Sequence, residues 1–303
     1  MHFALSQEQE ELATAVRSAL ATSSDAWKVL VEQIGAPALA VPEEYDGAGA
    51  SLFETALVLN ELGASLTPTP LLQTAVATRA LLSVSHAEHL VAIAAGRSAT
   101  VALDDVVLDG DLVLVVRDGV LHEATDVRRT PLPSMDQTLE LTRLEILSSE
   151  PLGSVDEQQL RDTGAALVTA LQVGAMQRSL DLTVAYVKER HQFGRPIGSF
   201  QALKHRLADC FVALETSRSV SWAACWAAAN LNDDLSAKAS TAKAWCGDAL
   251  DLVASEMVQL HGGIAITWEH PAHLYFKRAH ALGKLFGQSH EHRMTLAGND
   301  GPS

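Results

Sequence analysis

No stretch of this sequence stays apolar for the length of a membrane span, because charged residues interrupt the longer runs. The opening residues, Met-His-Phe-Ala-Leu-Ser-Gln-Glu, show neither a basic start nor a signal-type apolar core, so a cytoplasmic location is expected. Cysteine is scarce. Cys210, Cys225 and Cys246 lie apart in helix-like stretches, without CxxC spacing. That excludes a disulfide scaffold and fits small buried hydrophobes in a reducing compartment. Positive charge is short as well: 22 Lys and Arg face 37 Asp and Glu, a net charge of −15. Such a surface repels nucleic acid and anionic lipid, so DNA, RNA and membranes are not expected partners. Proline thins out after Pro151, which leaves room for long helices. Neither a P-loop nor an HExxH pair occurs.

What is present is a large apolar complement, 48% of residues against 19% charged, ample for a core. At ~100–200 residues per domain, the length suggests about two domains. Capping-box pairs open three expected helices: Ser6 with Gln9, Ser51 with Glu54, and Ser154 with Glu157. A further helix is expected from Ser24–Asp25 to Gly35, before a Pro- and Gly-rich turn over 41–50. The Ser51 helix should end at Gly63, and stretches near 67–83 and 86–95 complete an N-terminal helical domain, 1–97. Residues 98–153 change character. Ser98–Leu103 and Leu112–Val116 are β-branched and apolar, Asp118-Gly119 is a hairpin-turn signal, and Thr138–Ile146 alternates. They read as a reduced β-region. From 154 to 303 four helices are expected, to about Arg190, over 200–229 with Ser199 as cap, over 235–260 and over 272–296. Short turns between them argue for an antiparallel four-helix bundle. The fold class is therefore mainly α with a small β insert.

Two segments place glycines and polar groups where a plain bundle does not need them. In Arg190-His-Gln-Phe193-Gly194-Arg-Pro-Ile-Gly198-Ser-Phe-Gln201 a helix ends on a cation, turns on glycines, and restarts with Gln201 in its first turn. A helix start offers free N–H groups and partial positive charge, and Arg190 adds a permanent planar cation, all suited to a pyrophosphate. An ordinary helix–turn–helix corner with a surface arginine is the competing reading. In Gln259-Leu-His261-Gly262-Gly263 paired glycines permit left-handed backbone and close approach of a ligand, while Gln259 can bond an adenine edge or phosphate. A Schellman-type helix stop is the alternative there.

Together and in this order, the segments resemble the signatures of the acyl-CoA dehydrogenase family: an R-x-x-F-G turn with Gln eight residues after the Phe, then Q-x-x-G-G. Val41-Pro-Glu-Glu-Tyr-Asp-Gly-Ala-Gly, Asn60-Glu-Leu-Gly63, and Arg278 in Tyr275-Phe-Lys-Arg-Ala are similar to that family too. The resemblance implies an N-terminal helical domain, a middle β-domain and a C-terminal four-helix bundle. It implies FAD as cofactor, an acyl-CoA substrate, and α,β-dehydrogenation by proton and hydride removal. It further implies that Arg190, Phe193, Gln201, Gln259, Gly262 and Gly263 contact the adenosine diphosphate half of FAD across a subunit interface.

The sequence also departs from that family. Gly287, in Lys284-Leu-Phe-Gly287-Gln288-Ser289, stands where many members carry the base glutamate, and Gly164 stands at the alternative position. Glu291, Glu269 and Asp248 are read as structural acids, Asp248 at a bundle interior or interface, so no catalytic residue is assigned. T-I-T-E-P-like and W-x-T-like segments are missing between Ser98 and Ser154, and Ala265 replaces a frequent glycine. These losses, with the short β-region, resemble the smaller subunit of α2β2 acyl-CoA dehydrogenases of actinobacterial sterol side-chain degradation. A larger partner subunit would then supply the base and flavin-ring contacts. Two alternatives stay open: a degenerate scaffold that stabilises a dehydrogenase, and a homomer with an unconventional base. His261, His270, His273, His280, His290 and His292 lack metal-ligand spacing and are read as solvated or helix-end residues. Trp222, Trp226 and Trp245 are read as core or interface packing.

Overall fold

The structure, a computed structural model, describes residues 5–21 and 25–299. Helix α1 (Gln7–Leu20) opens on the expected capping box: the Gln9 N–H donates to Ser6 Oγ and the Ser6 N–H to Gln9 Oε1. Ser24 lies outside the described residues, but Asp25 caps α2 (Ala26–Val29), which widens through Ile34 and stops at left-handed Gly35 as expected. The Ser51–Glu54 box opens α3 (Leu52–Ser65), followed by α4 (Leu71–Ser83) and α5 (Ala87–Ala94). Gly63 does not stop α3. A Cβ there would lie 2.1 Å from the Leu171 carbonyl oxygen, and one at Gly174 would lie 1.8 Å from that of Asn60. The pair lets α3 lie backbone to backbone on the first bundle helix.

Five strands follow: β1 (Ala99–Ala102), β2 (Val106–Leu108), β3 (Leu112–Arg117), β4 (Val120–Pro131) and β5 (Leu141–Ser154). Their order is β1-β3-β4-β5-β2, with β1 and β3 parallel and the other pairs antiparallel. Asp118 and Gly119 both take positive φ at the β3–β4 turn, as the hairpin signal implied. β4 escapes sequence reading because much of it is an exposed ribbon of polar and charged residues with no buried face to set a period. β5 runs to Ser154, so Ser154 is not a helix cap. Asp156 does that work, accepting the Gln159 N–H at 3.1 Å.

The bundle comprises α6 (Glu157–Glu189), α7 (Gln201–Asn230), α8 (Leu235–His261), α9 (Ala272–Lys284) and α10 (Ser289–Asn299), joined before α7 by a hairpin of β6 (His191–Gln192) and β7 (Arg195–Pro196). Ser199 does not cap α7. Its hydroxyl donates back to the Pro196 carbonyl, and Phe200 holds the cap position, where it has no side-chain acceptor to offer. The expected fourth helix is two, because Phe286 and Gly287 take positive φ and break it. Buried Lys243 secures the break by donating to the carbonyls of Gly283 at 3.1 Å and Gly287 at 2.7 Å. All three cysteines are buried, and burial pushes Cys225 and Cys246 up to about 12, which keeps them as thiols. Trp222 meets Phe53 edge-on, whereas Trp226 and Trp245 are exposed. Among the described residues no helix is long and apolar enough to cross a membrane, and no three potential ligands gather to hold a metal.

Fully buried Arg278 on α9 ties the three parts together. Its Nε donates to Asp136 at 2.6 Å, and its Nη2 donates to the Thr138 carbonyl at 2.7 Å and to the Leu66 carbonyl at 3.2 Å. Burial pulls the guanidinium pKa below its ordinary value, and the Asp136 carboxylate opposes that pull. Asp136→Ala leaves this charge buried without its partner. The expected loss is about 3–5 kcal/mol in chemical denaturation. Lys243 gives a pH signature. Burial lowers its ammonium to about 8, against 10.5 in the unfolded chain. Between those values the unfolded state holds the extra proton, so this residue's contribution to stability grows as pH rises. Denaturation of the wild type and Lys243→Met at pH 8 and pH 10 should show the difference moving in the wild type's favour.

Candidate functional site

α6 ends at Arg190, whose exposed side chain pairs with no carboxylate among the described residues. The chain does not make a simple corner there. It folds into the β6–β7 hairpin, with Phe193 and Gly194 at its tip at φ of 53° and 77°. Two successive left-handed residues make the reversal, and they hold Phe193 out of the fold at 91% exposure. Phe193 touches only the rim, edge-on to Phe200, with the Arg195 guanidinium 4.1 Å above the Phe200 ring. Gln201 then opens α7, its amide paired with His205. With no side-chain cap, and with the Leu203 N–H already donating to the Phe200 carbonyl, the Gln201 and Ala202 N–H groups are left for an outside acceptor.

The second segment meets the first. α8 ends at Gly262, with φ 64° and ψ −140°, a conformation that belongs to glycine. A Cβ at Gly194, Gly262 or Gly263 would meet no atom within 4 Å, so bare backbone faces open space. Tyr186, one turn before Arg190, donates from its hydroxyl to the His261 carbonyl at 3.3 Å and stacks on that ring at 4.3 Å. His261 in turn meets the His270 ring, tilted by 41°, at 4.2 Å between centroids. His261 is 3% exposed, its Nδ1 bonds the Met257 carbonyl at 2.7 Å, and burial lowers its pKa, so it is a neutral packing group. Of the two readings the sequence suggested, solvated or helix-end, the second holds: His261 is the last residue of α8. On the other side Arg206, in the second turn of α7, bonds Glu256, three residues before exposed Gln259. Arg190, Phe193, Gln201, Gln259, Gly262 and Gly263 thus gather at one end of the bundle. His261 joins the two segments with Tyr186, Arg206 and Glu256; the last three were not singled out from sequence, and aromatic and charged residues one turn from each motif were the available signal.

The end is a place where a diphosphate can be held. It combines an unpaired guanidinium, an uncapped helix start and unobstructed glycine backbone.

The two expected base positions lie elsewhere and hold no acid. At Gly164 a Cβ would fall 2.2 Å from the Phe286 ring, so that ring fills the place a longer side chain would need. Gly287, at φ 93°, turns the chain between α9 and α10. Glu291 accepts the Gln288 N–H at the start of α10, Asp248 is exposed and bonds Arg293, and Glu269 is exposed. Asp248 is therefore a surface acid.

Fold and corner define a helical-bundle protein with a β insert and one end that gathers a cation, a helix start and bare glycine backbone. Residues 4–89 match the acyl-CoA dehydrogenase N-terminal domain, and residues 158–299 match the acyl-CoA dehydrogenase C-terminal domain. The chain is 45% identical to Acyl-CoA dehydrogenase IpdE2 of Mycolicibacterium smegmatis, across 93% of this chain and 90% of that protein. The chain belongs to the acyl-CoA dehydrogenase family. It is 35% identical to Acyl-CoA dehydrogenase FadE34 of Mycobacterium tuberculosis, across 88% of this chain and 41% of that protein. A solved structure titled as the Tcur3481-Tcur3483 steroid ACAD G363A variant superposes with TM-score 0.86 at 26% identity, covering 96% of this chain and 97% of that one. A chain of the ChsE4-ChsE5 complex from Mycobacterium tuberculosis superposes with TM-score 0.85 at 24% identity over the whole of both chains, a likeness of fold.

Crowding at Gly164 is directly testable. Gly164→Ala should cost about 1–3 kcal/mol by overpacking. Because Phe286 causes the clash, Gly164→Ala combined with Phe286→Ala should cost less than the sum of the single changes. A thermal-melting double-mutant cycle reads the coupling.

Proposed function

We propose that this chain is one of two unlike subunits of an FAD-dependent acyl-CoA dehydrogenase, assembled as α2β2. Its Arg190–Gln259 end holds the adenosine diphosphate half of an FAD whose ring lies in the larger partner subunit. Arg190 pairs with the diphosphate, the α7 start and the Gly262-Gly263 backbone donate or yield space to it, and Phe193 and Gln201 cover it. Gln259 reaches an adenine edge or a phosphate oxygen. FAD, when bound, accepts the hydride leaving the β-carbon of the acyl thioester.

One observation carries the reading. Arg190 and Gly164 lie 26 residues apart on continuous helix α6, about 39 Å at 1.5 Å per residue. A dinucleotide held at Arg190 cannot bring its ring to this chain's own base positions. Those positions carry no acid in any case, so the proton acceptor belongs to the partner. The names of similar proteins fit: one structure pairs ChsE4 with ChsE5, and the other, Tcur3481-Tcur3483, is called a steroid ACAD. A steroid-derived acyl-CoA is accordingly the proposed substrate class. The second reading, a degenerate scaffold for a partner dehydrogenase, rests on the same two glycines.

Arg190→Ala separates the two. Co-expressed with the larger subunit, the wild-type complex should be yellow and oxidise acyl-CoA. The variant should assemble yet bind FAD about 10- to 100-fold more weakly, the loss of a charge-assisted contact. FAD titration of the apo-complex measures this. A colourless wild-type complex overturns the flavoprotein reading, and unchanged FAD affinity in Arg190→Ala favours the scaffold.

A further inference from the structure

The loop that carries Gly262 and Gly263 is flanked by His261 and His270, and both histidines close on one tyrosine. The Tyr186 ring, on α6 one turn before Arg190, lies 4.3 Å from the His261 ring and 6.3 Å, edge-on, from the His270 ring. The two imidazoles lie 4.2 Å apart. Each is also held from its other side. His261 Nδ1 donates to the Met257 carbonyl at 2.7 Å, and His270 Nδ1 accepts the Ala272 N–H at 3.2 Å at the start of α9. The Tyr186 hydroxyl donates at 3.3 Å to the His261 carbonyl, which belongs to the peptide bond leading into Gly262. Burial lowers the pKa of both imidazoles, so at neutral pH the three rings meet without charge.

We infer that Tyr186, His261 and His270 are positioning residues, a three-ring clasp that sets the Gly262-Gly263 backbone against Arg190. The inference rests on the reading of this end as an FAD site, and it requires none of the three to touch the cofactor. Paired glycines left alone sample both signs of φ, whereas Gly262 stands at φ 64° and ψ −140°. Of residues 262–269 only Ala265 is buried, so the loop's own packing does little to choose that conformation. The clasp supplies the restraint from outside, by fixing the residue on each side of the loop to the helix that carries Arg190. A guanidinium and a stretch of bare backbone grip one diphosphate together only when their spacing is already set. A ligand that must first order the loop loses affinity to that ordering.

FAD titration of the apo-complex with the larger subunit tests the clasp. Tyr186→Leu should weaken FAD about tenfold, the size of two lost aromatic contacts, while Tyr186→Phe, which keeps the ring, should stay within about twofold. Because the clasp acts by placing the glycines against Arg190, the same Tyr186→Leu change should cost less than about threefold when Arg190 is already replaced by Ala. A residue that merely stabilises the bundle would weaken FAD by one factor in both backgrounds, and that additivity overturns the proposal. Wild-type affinity in Tyr186→Leu beside a weakened Arg190→Ala overturns the clasp alone. No loss in Arg190→Ala overturns the FAD reading, and the clasp with it. Should Tyr186→Leu fail to assemble, His270→Asn decides, since asparagine keeps an acceptor for the Ala272 N–H but has no ring. A loss of about threefold supports the clasp, and unchanged FAD affinity overturns it.

Discussion

One buried guanidinium holds the three parts of this molecule in register. Arg278 reaches from α9 to Asp136 and Thr138 in the β-region and to the Leu66 carbonyl beyond α3. A charge with no access to water must be paired and fully hydrogen-bonded, and its partners come from segments more than 130 residues away. The helical domain, the β-region and the bundle therefore cannot dock independently. If the β-region moves, Asp136 moves with it and the charge is stranded. The apolar contacts are larger in sum, but they tolerate small slides that this geometry does not.

Within that constraint α6 acts as the beam. Its glycines mark where other parts must approach. Gly174, with Gly63, lets α3 close on it, and Gly164 receives the Phe286 ring from the α9–α10 break. Lys243 holds that break by two carbonyls, so the feature that fills the expected base position is itself fixed by a buried cation. At the opposite end α6 runs out into Arg190, and Tyr186 stacks the helix onto His261. The beam thus carries a closed end and an open one. The closed end is packed like a core, while the open end presents an aromatic ring, a cation and bare backbone to whatever docks there.

How much of this was legible depended on whether local chemistry decided the outcome. The Ser6 and Ser51 boxes, the Gly35 stop and the Asp118-Gly119 turn were readable because a few adjacent residues settle them. Ser154 and Ser199 were misread for the complementary reason. Each has the right residue type, but the strand β5 captures Ser154, and the β6–β7 hairpin turns the Ser199 hydroxyl back to Pro196. Gly63 illustrates the same limit, since a glycine for close approach and a glycine for a stop look alike until the neighbouring helix is known. The six motif residues were singled out from sequence as a resemblance. That they gather at one end depends on Tyr186, His261, Arg206 and Glu256, whose contacts are tertiary and carry no spacing signal of their own.

The two glycines where the family places a base therefore carry more weight than the motifs that are kept. A surface arginine can persist for many reasons. A glycine with an aromatic ring packed against it is a different matter, because placing an acid there requires moving Phe286, the break at Gly287 and the Lys243 contacts together. Such coupled packing makes an acid at Gly164 hard to introduce by a single substitution. A chain fixed in that state can still serve a flavoenzyme if its remaining useful surface lies far from the lost one. On the proposed reading that condition is met, because Arg190 lies about 39 Å from Gly164 along one helix. On the proposed reading, division of labour between unlike subunits rests on geometry: what stands at one end of α6 is independent of what the other end presents.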